Sequence, residues 1–350
     1  MSDIAKSVFA GWNWQPPAHW MRVTSIDTHT GGEPLRIITS GLPPIEGRTV
    51  LEKRRYFMKH YDHLRSGLMR EPRGHADMYG AILTTPSDDA DVDVFFLNTE
   101  GYSPMCGHAV LAIAKVVLET GVVAKSGSNP ELVLNVPAGR NYARASVEDG
   151  EVRHAYFRNV ASFVYLKDEH VDVPGLGPVA FDVAYGGAFY AIVDAASVGV
   201  GLTASSYNTL IDYGRRIKRA VMDRFPISHP FENDLSFLFG TIFTGPAESA
   251  ANHSRNVTIF EDGEVDRSAT GTGVSARAAL LHERGELALN QTITVESILG
   301  STMTVAALSR EKFGPYDAVI PEVGGAAHIM SRSELYFDPR DPLTKGFIFR

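Results

Sequence analysis

The stretch Met105-Cys106-Gly107-His108-Ala109-Val110-Leu111-Ala112-Ile113-Ala114 holds the only cysteine of the chain, and its pattern returns later. The second copy is Ala269-Thr270-Gly271-Thr272-Gly273-Val274-Ser275-Ala276-Arg277-Ala278. With Cys106 set against Thr270, Gly107 meets Gly271, Val110 meets Val274, Ala112 meets Ala276, and Gly121 meets Gly285 without a gap. Further upstream, Phe96 matches Phe260, and Tyr79-Gly80-Ala81-Ile82 matches Phe239-Gly240-Thr241-Ile242 after a short insertion. Earlier still, Asp27, Gly31-Gly32 and Ile37 match Asp182, Gly186-Gly187 and Ile192. Shared order at a near-constant offset implies a duplicated unit of roughly 155 residues.

Local signals say what each copy builds. Pro104 stands just before the apolar run Ala109 to Glu119 and Gly121 just after it, the start and stop marks of a helix. A thiol at a helix N-terminus lies at the positive end of the macrodipole, which favours thiolate. The following N–H groups, of Gly107 and His108, are free to hold an anion. One turn thus offers a base or nucleophile beside a carboxylate cradle, although a lone cysteine is also a common small core residue. Two facing copies point two such helix starts into one cleft, with Cys106 on one side and Thr270 on the other.

The chain of 350 residues is long enough for two cores, and its 44% hydrophobic and 21% charged residues are ordinary for a globular protein. A net charge of −8 with no basic run argues against a nucleic-acid surface. A single cysteine excludes an internal disulfide framework and fits a reducing, cytoplasmic setting. No apolar stretch reaches the roughly 18 residues of a membrane span, and residues 1–20 lack a signal-peptide core. They carry Trp12, Trp14 and Trp20 instead, and read as an extension packed on the first domain or a partner subunit.

In chain order, strands are expected at 21–27 and 35–39 with a polar turn, Thr28 to Pro34, between them. A helix over 48–69 follows, then strands at 79–84 and 92–97. His60 and His63, three apart among Lys59, Asp62 and Arg65, read as an exposed helix face rather than a metal pair. Residues 132–136, 143–147 and 152–166 read as strands, and Asp168 to Gly177 as a crossover between domains. A helix over 208–224 and strands at 235–244, 257–261, 292–296 and 301–308 build the second half. The expected partition is 1–20 as extension, 21–170 plus 336–350 as the first domain, and 171–335 as the second. No P-loop or dinucleotide fingerprint follows a strand, so the paired glycines read as tight turns.

Taken together, Met105-Cys106-Gly107-His108, Asp266-Arg267-Ser268-Ala269-Thr270-Gly271-Thr272-Gly273, Asp27-Thr28-His29-Thr30-Gly31-Gly32-Glu33 and Glu71-Pro72-Arg73-Gly74-His75 resemble the proline racemase family. The resemblance implies a diaminopimelate epimerase-like α/β fold, two pseudosymmetric domains each with a sheet wrapped on a central helix. It also implies no cofactor, no metal and a homodimer. Racemases and 4-hydroxyproline epimerases of the family carry Cys at both helix starts; here Thr270 replaces the second. That Cys/Thr pair resembles the subgroup that dehydrates trans-3-hydroxy-L-proline. In that substrate the hydroxyl shares a ring face with the Cα hydrogen, so one thiol can serve both. The resemblance makes Cys106 and Thr270 the catalytic pair. It places the substrate carboxylate on Gly107, His108, Gly271 and Thr272, and the ring nitrogen on Asp266 and the His108 side chain. His29 and His75 are expected to support the cleft. Two alternatives stay open: a racemase or epimerase using Thr270 with a water, and a non-catalytic imino-acid binder.

Overall fold

Helix α1 (Val50–Met69), helix α2 (Gly107–Glu119), helix α3 (Tyr207–Arg224) and helix α4 (Gly271–Glu283) are the α-helices of the computed structural model, which describes residues 14–349. Helices α2 and α4 are apolar or small on nearly every side, and both are buried from their first residue almost to their last turn. A helix without a polar face must lie inside a core. Each ends where expected, with Gly121 (φ +71°) and Gly285 (φ +75°) in the left-handed region just past the last turn.

The strands around the two helices repeat one plan. In the first half, Met21–Thr30 and Glu33–Ser40 form a hairpin, Glu33–Ser40 runs parallel to Tyr79–Thr84, and Tyr79–Thr84 pairs antiparallel with Val92–Asn98. In the second half, Gly177–Tyr185 and Phe189–Asp194 form the hairpin, Phe189–Asp194 runs parallel to Leu238–Gly245, and Leu238–Gly245 pairs antiparallel with Ser254–Phe260. Val92–Asn98 then runs parallel to Glu131–Val136, and Ser254–Phe260 to Thr292–Glu296. Helices α1 and α3 occupy corresponding places in the chain. The repeat seen in sequence is therefore a repeat of topology, and the fold is the pseudosymmetric α/β class expected.

Several local expectations need correction. The first strand runs on to Thr30 and the second opens at Glu33, so the turn is Gly31-Gly32 alone, with φ of +60° and +96°. The stretch 152–166 is two strands, Glu151–Arg158 and Ser162–Val173. Asp168 to Gly177 is no crossover: Ser162–Val173 and Gly177–Tyr185 form an antiparallel hairpin through it, with register shifts on either side of Leu166. Its Gly and Pro residues mark a tight turn, which sequence alone reads equally well as a linker. Strand Tyr316–Gly325 is an addition to the sequence reading; it carries Pro321 in its middle, opposite Ala307 where the register shifts. It pairs with Glu151–Arg158 and Ser162–Val173, so the sheet is continuous across the two halves. The chain returns to the first half at Ala327 rather than 336, as Ala327–Phe337 pairs along its length with Met21–Thr30.

Near the N-terminus, Trp14 packs edge-on against Trp20 and Tyr336; Trp12 lies outside the described residues. His60 and His63 are exposed on α1. Among the described residues no helix is long and apolar enough to cross a membrane.

Candidate active site

The two helix starts touch. A Cβ placed on Gly107 would lie 2.6 Å from the Cα of Gly271, and one on Gly271 would lie 2.6 Å from the Cα of Gly107. Only glycine at both positions lets the backbones approach so closely, which brings both sets of unpaired N–H groups to one place. The Gly-Gly hairpin turns cross between halves to brace them. Gly32 packs against Arg267 and Leu299 of the second half, and Gly187 against Met105 of the first.

Cys106, Gly107, His108, Asp266, Thr270, Gly271 and Thr272 all line a single narrow cavity at this junction, with a volume of about 20 Å³. That is far below the roughly 300–1,000 Å³ of ligand pockets, so the two helix starts and the aromatic walls pack closely around the site. Every site residue read from sequence is brought together here. Sequence reading missed the walls: Tyr79, Tyr190, Phe239, Phe260 and Met105. Tyr79 lies edge-on to the His108 ring, centroids 5.0 Å apart, and Phe239 stacks on Phe260 at 5.3 Å. A usable signal existed, since Tyr79 and Phe239 are matched positions of the repeat, as are Phe96 and Phe260. His29 and His75 do not line the cavity. His29 Nδ1 accepts the Gly32 N–H in the first hairpin turn, and His75 Nδ1 accepts the Asp77 N–H.

At the first helix start, Cys106 Sγ lies 3.2 Å from His108 Nδ1. The His108 ring donates to the backbone carbonyl of Pro34, and its own carbonyl accepts the Thr30 hydroxyl at 2.9 Å. Both contacts tie the first turn of α2 to the first hairpin. Burial pulls the His108 pKa down, against the raising influence of Asp266, so the imidazole is neutral.

At the thiol itself, the surroundings oppose the ionisation that the helix terminus favours. Burial pushes the Cys106 pKa well up, and the Asp266 and Glu33 carboxylates push the same way. The Ala109 N–H and the Tyr79 hydroxyl oppose them. A helix terminus contributes about 0.3–1 kcal/mol, whereas taking an ion into a dry interior costs several kcal/mol. Desolvation wins, and the thiol form is favoured.

Thr270 caps α4 with φ +67°, a region that a β-branched residue enters only when the surroundings hold it there. Its hydroxyl donates to Thr258 Oγ1 at 2.7 Å, so its proton is turned away from the cavity. Thr272 shares a 2.6 Å hydrogen bond with the Tyr190 hydroxyl. Asp266 Oδ1 accepts the Ser268 N–H and hydroxyl, both at 2.7 Å; its Oδ2 has no hydrogen-bond partner among the described residues. Behind it, fully buried Glu33 accepts the Arg267 N–H at 2.7 Å through Oε2, while Oε1 is unpartnered among the described residues. Burial and the nearby Asp266 push the Glu33 pKa well above its ordinary value, against the Arg267 N–H and guanidinium.

Two touching helix starts, a thiol on one and a carboxylate beside the other, define a class of pseudosymmetric enzymes acting at the Cα of a small substrate. The solved structures agree. A hydroxyproline epimerase from Agrobacterium vitis with bound trans-4-hydroxy-L-proline superposes with a TM-score of 0.90 at 28% identity, over 95% of this chain and 96% of that one. The proline racemase family model matches residues 25–348. A trans-3-hydroxy-L-proline dehydratase of Colwellia psychrerythraea is 48% identical over 99% of both chains. One of Homo sapiens is 44% identical over 93% of this chain and 94% of its own. The chain belongs to the proline racemase family.

Proposed function

We propose that this chain is a cofactor-independent hydro-lyase that converts trans-3-hydroxy-L-proline to Δ1-pyrroline-2-carboxylate. The observation that carries the reading is the asymmetry of the two helix starts. One presents a thiol, and the other a threonine whose hydroxyl proton is committed to Thr258. Two-face chemistry needs an acid on each side of Cα; a syn elimination needs one. Relatives of 41–48% identity bearing the dehydratase name support the same choice.

The substrate carboxylate sits on the N–H groups of Gly107, His108, Gly271 and Thr272, and its secondary ammonium beside Asp266 and His108. That cation offsets the carboxylates near Cys106 and so favours the thiolate that burial disfavours. Cys106 Sγ then takes the Cα proton: the C–H bond breaks, an S–H bond forms, and charge spreads into the cradled carboxylate. The electron pair closes the Cα–C3 double bond as the C3–O bond breaks. The departing hydroxyl takes the proton back from Cys106 and leaves as water, and the enamine tautomerises to the cyclic imine. Thr270 takes no proton in this scheme; it lines the opposite face. A reducing cytoplasmic setting and a homodimer complete the reading, the latter checked by sedimentation.

Incubation with trans-3-hydroxy-L-proline, L-proline and trans-4-hydroxy-L-proline in D2O, followed by NMR, tests the proposal. Water loss from the 3-hydroxy compound alone is expected, falling at least 1,000-fold (order of magnitude,) in Cys106→Ser. Epimers of the other two compounds without dehydration would overturn it in favour of a racemase or epimerase. No turnover of any of the three would favour a binding protein.

A further inference from the structure

The two faces of the cavity differ at a second pair of matched positions. Tyr79 stands on the cysteine side, where the repeat places Phe239 on the threonine side, and both line the cavity. Apart from one hydroxyl the two side chains are the same, so the difference is a hydrogen-bonding group and not a shape. The Tyr79 ring is 3% exposed and held edge-on between His108 and Phe260. Its hydroxyl stands beside the Ser103 and Cys106 side chains, in reach of both.

The protons at this point can be counted. Ser103 has one hydroxyl proton, and it is given to the Met105 carbonyl at 2.7 Å. Toward Tyr79, Ser103 is therefore an acceptor, and the phenol proton has two places to go: Ser103 Oγ or Cys106 Sγ. While Cys106 is a thiol, the phenol serves Ser103. Once the thiol ionises, the sulfur becomes the stronger acceptor and the phenol proton swings to it, a charge-assisted bond formed only when charge is present. The other groups facing the sulfur are neutral His108, Tyr190, and the carboxyls of Asp266 and Glu33. Both carboxyls oppose its ionisation.

We propose that Tyr79 is a positioning residue of the active site, a switchable donor that solvates the Cys106 thiolate in a dry cavity and so restricts base chemistry to one face. Ser103 is its resting acceptor. The proton stays on the phenol oxygen throughout, and no bond is made or broken at Tyr79. The inference rests on Cys106 being the base, but its first readout does not depend on turnover.

The test is the rate at which iodoacetamide alkylates Cys106, the single thiol of the chain, measured by mass spectrometry from pH 6 to 9. In Tyr79→Phe the thiolate fraction, and with it the rate, is expected to fall about tenfold at each pH below the thiol pKa, the equivalent of one pKa unit. With trans-3-hydroxy-L-proline, kcat falls while KM stays within about twofold, and the acid limb of the kcat profile moves to higher pH by the same unit. Ser103→Ala frees the phenol for the sulfur and should raise the alkylation rate, a change opposite in sign that does not require the Tyr79 variant to fold. Unchanged alkylation in Tyr79→Phe, or a rate in Ser103→Ala that is equal or lower, would overturn the proposal. A dehydratase failure with the alkylation shifts intact would overturn only the substrate reading.

Discussion

The start of α2 and the start of α4 are the same structure with different chemistry. Each is a buried helix N-terminus opening on a glycine, preceded by a strand pair and braced by a Gly-Gly turn from the other half. The differences are confined to a few side chains. Cys106 faces Thr270, His108 faces Thr272, and Tyr79 faces Phe239. On the first side these groups form a proton-handling set around sulfur; on the second, hydroxyls bonded to neighbours and an aromatic wall. In the proposed reading, duplication supplies a carboxylate cradle built from both helix starts, and divergence at these matched positions decides on which face of the substrate a proton moves.

The largest effect should come from breaking the symmetric part. Gly107→Ala puts a Cβ within 2.6 Å of the Gly271 backbone, where no side chain can swing aside. The helix starts must part. Stability should fall by about 1–3 kcal/mol, and turnover by at least 100-fold (order of magnitude,). Urea unfolding and steady-state kinetics measure both, and normal activity would mean that the two starts need not touch.

The asymmetric part has a pH signature. Burial disfavours the Cys106 thiolate in the free enzyme, and that thiolate is the proposed base. The sign follows: kcat/KM for dehydration rises with pH, by about tenfold per unit below the thiol pKa. A flat profile between pH 6 and 8 would mean a resting thiolate and would restore the macrodipole as the dominant influence.

Thr270→Cys sharpens the comparison with a smaller effect. It restores a thiol to the second face and removes a β-branched side chain from φ +67°. Epimerisation of trans-4-hydroxy-L-proline should become detectable by chiral chromatography, at a rate well below the dehydration of the parent. If no epimer forms, the second face is closed to proton transfer by more than the identity of residue 270.

How much of this was legible in the sequence depended on range. Helix ends were legible because Pro104, Gly121 and Gly285 act locally. The pseudosymmetric fold was legible because the repeat preserved the order of its glycines and aromatics, and the seven residues that meet at the cavity were legible as motifs. Tyr190 gave no such signal, and Glu33 stood only at the end of a motif, with no place in the site. Each is an ordinary residue of a strand, brought to the cavity or behind it by the hairpins. Tyr79 was visible only as the partner of Phe239, and nothing in either copy alone says that the phenol reaches Cys106.

The sequence by itself determined the two-copy architecture, the place of the thiol and the loss of its counterpart, because periodicity, helix punctuation and residue identity are properties of neighbours along the chain. The tertiary structure decided the charge on Cys106 and the direction of the Thr270 hydroxyl. Both are set by what surrounds a group in space: the water excluded around the sulfur, the carboxyls of Asp266 and Glu33 near it, and Thr258 beside Thr270. Desolvation and hydrogen-bond direction have no counterpart in sequence spacing. They appear only when the fold has closed around the site.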